Sequence, residues 1–542
     1  KNIKDMEIIY VDNYDYDKTN NIYSLYMAKD YLAQDDTILL ESDLIYDESI
    51  IKKLIESPYE SAAVVAKYEQ WMDGTVVVTD RNDSILNFIE KKDFRYDDIE
   101  KYYKTVNIYK FSKEFSNKYY LPFLEAYMSS HGKSDYYELV LKVIVGFENC
   151  GLKAFKLTDE HWYEIDDCQD LDIASTLFAN DNNRLDKYQK RYGGYWRFNK
   201  LRDFCYLVNP YFPTEPMKDK MRYFFDKLLV EYPSGLTTQN ICASRMFENI
   251  DEKFLIVGNG AAELINNLKN VISGKIAVCV PTFNEYIRCL PDVEIVEIKT
   301  SETNYTFDTN ILIKTLTKTD GLVIVNPDNP SGSFIKYEEM MKIVNHANKL
   351  NKWLIVDESF IDFAPSDLKY TLCDDDIISA NPKLIVIKSI SKSYGVPGLR
   401  LGVLASSNRE VLQTIKDNLP VWNINSFAEY FLQIINLYNK DYVRACEKIS
   451  VERERFYREL LKNKNIKVFK SYSNYFLCEV INGDANELAN NLLKKYNVLI
   501  KVLNGKKGFE NGHYIRIAIR DEIDNNYILN CLKDNIWDKS EL

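Results

Sequence analysis

The stretch "VIKSISKSYGVPGLRLG", Val386 to Gly402, decides how the second half of this chain is read. An apolar run stops at Lys392, which is fenced by Ser389 and Ser391, and Arg400 follows after a short loop. A lysine at the end of a buried strand needs solvent, a counter-charge or a chemical task. Three other stretches share its rhythm of apolar run and polar turn: "KIAVCVPTFNEY", "GLVIVNPDNPSG" and "KWLIVDESF". Between the second and third of them, "KYEEMMKIVNHANKL" is apolar at helical spacing and long enough for a crossover. Strands alternating with such helices predict a mostly parallel sheet covered on both faces. In sheets of this kind ligands bind at the carboxyl edge, where each of these turns falls.

The turns offer a consistent set of chemical types. Asp357 ends "LIVD", Asn329 sits in the rigid "NPDNPSG" turn, and Phe283 follows "VPT". "VGNGAAELI", Val257 to Ile265, is a glycine turn opening a helix, where the amides of Ala261 and Ala262 suit an anion. An aldehyde cofactor with a pyridine ring and a phosphate calls for this collection. A lysine amine forms the Schiff base, a carboxylate keeps the ring nitrogen protonated, and an aromatic ring covers one face. Hydroxyls, amides and an arginine hold the phosphate. Each motif alone is more often a solvated turn or a helix cap; the weight comes from their order along one sheet edge.

From about Asn199 to Leu542, "GNGAAELI", "PTFNEY", "NPDNPSG", "VDESF", "SISKSYGVPGLRLG" and "YIRIAIR" together resemble the class I/II aminotransferase family. The likeness is strongest to its histidinol-phosphate aminotransferase and threonine-phosphate decarboxylase branches. The resemblance implies a fold-type I transferase that binds pyridoxal 5'-phosphate (PLP), with a large mixed or parallel sheet domain and a small C-terminal α/β domain. It implies Lys392 as the Schiff-base lysine and proton shuttle, Asp357 against the pyridine nitrogen, Asn329 on the ring oxygen and Phe283 on the ring face. The phosphate falls to Ala261, Ala262, Ser389, Ser391 and Arg400, and the substrate carboxylate to Arg516. Tyr232 in "EYPSG" matches a tyrosine that reaches the neighbouring subunit's phosphate, which implies a homodimer. Two departures leave transamination and decarboxylation both open. Phe360 stands where many members carry a tyrosine, with "DESFIDF" similar to the decarboxylase branch, and "AAE" replaces more polar residues.

The first half is a separate α/β pattern, with runs at "TILLESDLIYD", "AAVVAKY", "TVVVTD" and "TVNIYKFS". Asp43 ends one run, and Glu164 and Asp166 lie in "WYEIDDCQDLDIA". Paired carboxylates at strand ends suit Mg²⁺ with nucleotide phosphates. "TNNIYSLYMAKDYL", "LLESDLIYD", "TVNIYKFS" and "WYEIDDCQDLDIA" resemble the nucleotidyltransferase family that includes phosphocholine cytidylyltransferases. That resemblance implies a Rossmann-like domain, Asp43 and Asp166 as metal ligands, Asn21 as a substrate contact and CTP as the expected nucleotide. The family's glycine-rich phosphate loop has no counterpart before Gly74, the first glycine, so the first domain is expected to be N-terminally incomplete. Tyr68 and Trp71, near the Gly74 turn, offer walls for an ammonium through cation–π contact, with Asp73 as a counter-charge. Packing is the alternative for both rings.

The expected domains are residues 1–180, a polar linker over 181–199, and residues 200–542. A length of 542 residues exceeds one core, and 46% hydrophobic with 28% charged residues is the balance of a folded domain protein. A net charge of −12 argues against nucleic acid and anionic membrane surfaces as partners. No apolar run reaches the ~20 residues of a membrane span. Ten scattered cysteines with only four histidines fit no zinc spacing and point to reduced thiols in a cytoplasm. The two halves together suggest consecutive steps: a PLP aminotransferase acting on a small phosphorylated or phosphonylated amino compound, and a nucleotidyltransferase that activates such a compound for lipid or surface-polysaccharide decoration. The alternatives are a phospho-amino-acid decarboxylase in the second half, and a first half that only binds.

Overall fold

In the computed structural model, the chain divides into two units, Lys1–Tyr188 and Gln189–Leu542. The structure describes every residue except 1–6, 70, 148–149, 199, 510–511, 534 and 538–542.

The strands of the first unit are β1 (Thr37–Leu40), β2 (Leu44–Tyr46), β3 (Ser61–Lys67), β4 (Val76–Thr79), β5 (Ile85–Ile89), β6 (Tyr103–Phe111), β7 (Leu152–Lys156) and β8 (Trp162–Glu164). Six of them form one sheet in the order β5-β4-β6-β3-β7, with β1 also on β6. Alternate residues of β3 feed opposite cores: Ala63 and Val65 on one face, Ala62, Val64 and Ala66 on the other. This sheet is mixed: β6 is antiparallel to β1 and to β3, which flank it, and β7 is parallel to β3, so β1, β3 and β7 share one direction, while β4 and β5 add antiparallel pairings. The link from β4 to β5 is too short for the crossover that parallel neighbours require, so these two strands pair as a hairpin. β2 and β8 form a separate antiparallel ribbon with Leu44 opposite Glu164, which sets Asp43 beside the end of β8.

The stretch expected as a linker is also different. Asp181–Lys190 is a helix, with Leu185 and Tyr188 buried. Two apolar residues one turn apart in a polar decapeptide are too weak a period to stand out in sequence. The last linker residue, Asn199, lies outside the described residues.

The second unit adds β9 (Arg202–Asp203), β10 (Leu255–Asn259), β11 (Lys275–Val280), β12 (Glu294–Lys299), β13 (Gly321–Val325), β14 (Trp353–Asp357), β15 (Leu384–Ser389) and β16 (Leu401–Ala405). Its large sheet runs β10-β16-β15-β14-β13-β11-β12. Every pairing from β15 to β12 is parallel, and β16 is inserted antiparallel to both neighbours. β13 and β15 are buried along their whole length, as continuous apolar runs require in a two-faced sheet. The helix Tyr337–Lys349 buries Met340, Ile343, Val344 and Ala347, the spacing expected of the crossover. A smaller sheet follows, in the order β17-β18-β21-β20, from β17 (Ile466–Val468), β18 (Tyr475–Val480), β20 (Lys501–Val502) and β21 (Tyr514–Ala518); β19 (Val498–Leu499) pairs with β9. Large sheet and small α/β part match the architecture expected for residues 200–542. No helix among the described residues is long and apolar enough to cross a membrane.

Candidate active site

At the carboxyl ends of β14 and β15, burial and backbone geometry fix the groups singled out in the sequence. Asp357 is buried, and its carboxylate accepts hydrogen bonds from the Tyr286 hydroxyl at 2.8 Å and the Ser359 amide at 2.8 Å. Burial raises its carboxyl pKa, while those donors and the nearby Lys392 favour the anion. Lys392 lies in the single turn Ile390–Ser393 that follows β15. It is half-buried by surface area. The protein around its amine, together with Arg516 and Arg400, brings its pKa down to about 8, against the pull of Asp357. A lysine near 8 holds much more neutral, nucleophilic amine at physiological pH than an exposed one.

Sequence reasoning missed the groups that brace this turn. The Ser389 amide donates to Ser359 Oγ at 2.9 Å, tying the end of β15 to the loop after β14. Ser393 Oγ donates to Asp362 Oδ2 at 2.9 Å, and Lys388 Nζ meets the same oxygen at 2.6 Å. Burial opposes the Asp362 charge, yet Lys388 and Lys369 hold its carboxyl well below the usual range. Asp362 therefore anchors both sides of the lysine turn. Tyr286 stood in the quoted "PTFNEY", but nothing local in sequence tied it to Asp357.

Arg400 meets the glycine turn after β10. Gly260 has φ +79°, and a Cβ there would lie 2.6 Å from Arg400 Nη2, so the guanidinium sits directly over the turn. Ala261 and Ala262 open the following helix. Glu263 accepts the Asn259 amide at 2.6 Å, which gives the "AAE" departure a role in holding the turn. Ser391 Oγ is buried with no hydrogen-bond partner among the described residues, an orphan hydroxyl of the kind a bound anion would satisfy. Lysine, carboxylate, arginine, orphan hydroxyl and glycine turn fit PLP. Gly402, opposite Gly258 in the β10–β16 pair, packs against the Gly260–Ala261 peptide; a Cβ there would fall 2.6 Å from Gly260 C. Gly402→Ala is expected to push the turn outward, weakening PLP binding about 10-fold and costing ~1–3 kcal/mol of stability. A PLP titration beside a thermal melt checks both.

Arg516 stands on β21 of the small sheet. Arg516 Nη1 donates to Asn329 Oδ1 at 2.7 Å and Nη2 to the Cys205 carbonyl at 2.7 Å, while its Nε is buried with no partner among the described residues. Phe283 is half-buried, with its ring edge-on to Tyr286. Phe360 is buried edge-to-face on Tyr475, whose hydroxyl bonds the Asp328 carbonyl at 2.6 Å. Tyr232 lies apart, 76% exposed and stacked on Trp422 at 4.2 Å beside the outer side of the glycine turn.

The first unit has its own site, a cavity of about 940 Å³ lined by Asn21, Asp43, Asp166, Lys104 and Glu164 among others. Carboxylate oxygens of Glu41, Asp43 and Glu164 all lie within 4.8 Å of one another. Asn107 donates to Glu41 at 2.9 Å and Glu164 at 2.8 Å, while Tyr137 and Asn21 donate to Glu41 at 2.8 and 3.2 Å. Buried Lys104 lies 3.1 Å from Glu164. Glu41, two places before Asp43, was missed, and Asp166 lines the same cavity outside this trio. Tyr68 and Trp71, expected as amine walls, have packing partners of their own. Tyr68 packs on Phe94 and bonds the Met72 carbonyl at 2.9 Å, and Trp71 stacks on Tyr163 at 4.5 Å. Both rings join an apolar core and neither lines the cavity. Asp73 does line it, paired with Lys91 at 2.6 Å.

The large sheet and the lysine turn at its edge define a fold-type I PLP-dependent enzyme. The family described as aminotransferase class I and II matches residues 239–530, and the chain belongs to that family, whose cofactor is PLP. Its relatives include a CMP-5'-(3-aminopropyl)phosphonate synthase of Streptomyces rubellomurinus, 27% identical over 97% of this chain and 83% of that protein. An L-serine phosphate decarboxylase of Campylobacter jejuni is 31% identical over 61% of this chain and 88% of its own length. Among solved structures, a decarboxylase from Sulfurospirillum multivorans superposes with TM-score 0.58 at 27% identity, covering 64% of this chain and 91% of that one. A histidinol-phosphate aminotransferase from Clostridium acetobutylicum superposes with TM-score 0.56 at 27% identity, covering 62% and 99%.

Proposed function

We propose that this chain is a bifunctional enzyme of phosphonate or phosphate-ester metabolism. Its second unit converts a small phosphorylated or phosphonylated amino acid with PLP, and its first unit transfers a nucleotide, CMP from CTP, to such a compound. The observation that carries the reading is the convergence of Lys392, Asp357, Arg400 and Arg516 in one electrostatic neighbourhood at the strand ends. PLP supplies an electron sink for a bond broken at the substrate's α-carbon. Lys392 would hold the cofactor and move protons, Asp357 would face the pyridine nitrogen, Asn329 the ring oxygen and Phe283 the ring. Ser389, Ser391, Arg400, Ala261 and Ala262 would take the phosphate, and Arg516 the substrate carboxylate.

In the first unit, Glu41, Asp43 and Glu164 would hold a divalent cation, Mg²⁺, which would offset charge on the nucleotide phosphates. Asp166 would complete the acidic side of the cavity, and Asn21 would orient Glu41 and reach the nucleotide. Support for joining the two halves comes from the likeness to the CMP-aminopropylphosphonate synthase along nearly the whole chain. A homodimer belongs to the same reading. Tyr232 stands in an exposed apolar patch with Leu229, Val230, Val421 and Trp422, as a residue that reaches a partner's phosphate would.

Loss of the carboxylate is the reading favoured for the PLP half. Two serine phosphate decarboxylases are 30–31% identical to it, and buried Phe360 removes the hydroxyl that many aminotransferases carry there. Transamination is the second reading, favoured by the likeness to histidinol-phosphate aminotransferases. Incubating the PLP-loaded protein with O-phospho-L-serine, and separately with 2-aminoethylphosphonate, decides between them. Carbon dioxide from phosphoserine, with the cofactor spectrum restored at the end, is the expected result. Conversion of the cofactor to its pyridoxamine form without carbon dioxide would establish the transaminase instead.

A further inference from the structure

β20 and β21 place Lys501 directly opposite Arg516, so both cations project from the same face of the small sheet. Like charges in that relation destabilise a sheet. A local rule broken without a compensating partner marks a site with a task. A third cation joins them. Lys506, half-buried in the turn after β20, donates to Asn284 Oδ1 at 2.5 Å, next to Phe283. The turn is held where it is. Gly508, at φ +92°, lies so close to Pro281 that a Cβ would come within 2.6 Å of its nitrogen, and Phe509 is buried against Tyr305 and Tyr514.

Among the described residues, neither Lys501 nor Lys506 has a carboxylate within ion-pair distance, and Arg516 Nε has no partner at all. Resting on the proposed function, we infer that Lys506 and Lys501 form an anion subsite beside Arg516 that takes the phosphate or phosphonate at the far end of the substrate. Lysine suits this task as a compact point charge for a tetrahedral oxyanion, whereas the planar fork of Arg516 suits a carboxylate. Two lysines match the two charges of a phosphate ester or phosphonate near neutral pH. Burial, with Arg516 and Lys501 close by, draws the Lys506 amine down to about 8 against the pull of buried Asp328, which lies beyond ion-pair distance. Selection would follow from charge. A substrate lacking the distal dianion meets Arg516 with its carboxylate but leaves the two lysines without a ligand charge, and one carrying it relieves them.

The test uses the full PLP-loaded chain and two readouts. Calorimetry with inorganic phosphate reads the subsite without turnover, since the cofactor's own phosphate place is filled. Steady-state kinetics with O-phospho-L-serine and with L-serine reads its use. Lys506→Gln is expected to weaken phosphate binding and raise KM for phosphoserine by about 10- to 100-fold, the range of one charge-assisted hydrogen bond. Its kcat should change by less than about 3-fold, KM for L-serine should stay put, and the cofactor's visible band should be unaltered. Lys506→Arg should recover most of the binding, and Lys501→Gln should act in the same direction. Unchanged phosphate binding in both glutamine variants would overturn the subsite even if phosphoserine is a good substrate. If phosphate binding falls in the variants while the wild-type chain turns over no phosphorylated amine, the subsite stands and the proposed substrate class fails.

Discussion

Lys392→Ala is expected to abolish the PLP half while leaving the chain folded. The lysine amine lies in the field of Asp357, Arg400 and Arg516, where the proposed function makes it covalent anchor and proton carrier. Loss of both tasks should lower kcat by at least ~10³-fold, since proton transfer alone contributes ~10²–10⁴. The visible absorption band of bound PLP should vanish with it. Stability should hold, because two of the three charges around the amine repel it. A pH series adds a second check on the wild-type chain. An amine with a pKa of about 8 is protonated below that value and free above it. PLP loading onto the apo-protein should therefore accelerate as pH rises toward about 8 and level off beyond. A lysine at its ordinary value would keep accelerating past pH 10. Turnover and a visible band surviving in the alanine variant would overturn the assignment.

The second unit was legible because its central strands are buried on both faces. β13, β14 and the first four residues of β15 read as apolar runs, and polar residues follow each at the sheet edge, so a mostly parallel sheet and a candidate edge could be inferred together, though not the strand order. What escaped were pairings set by register between distant segments. The bonds of Tyr286 to Asp357 and of Ser359 to Ser389 join segments that no local pattern connects. The antiparallel insertion of β16 leaves no trace in its own residues. In the first unit a short connection hid the β4–β5 hairpin of a mixed sheet, and alternate residues serving two cores blurred the period. Tyr68 and Trp71 show the limit of composition. An aromatic pair near a glycine turn reads equally as amine wall or core, and only packing separates the two.

Asp43→Asn should silence the first unit and spare the second. Glu41, Asp43 and Glu164 hold carboxylate oxygens within 4.8 Å of one another, although each is accessible enough to line the cavity. Burial raises the Glu41 carboxyl pKa and Asp43 raises it further; burial raises that of Glu164, with Lys104 opposing. Crowding of this sort is relieved by a divalent cation, so removing one charge weakens the cation more than it disturbs the fold. Mg²⁺-dependent transfer from CTP should fall ~10²–10⁴-fold, the loss of several kcal/mol of charge stabilisation. The thermal upshift that Mg²⁺ or Mn²⁺ gives the wild-type chain should shrink in the variant, a readout that needs no substrate. Without metal the variant should melt no lower than the wild type, since Glu41 loses a like-charged neighbour. PLP binding and the reaction of the second unit should be unaffected. Metal-dependent transfer at the wild-type rate would remove Asp43 from the site, whereas parallel loss of both activities would show that the substitution acts through the fold and not through a cation.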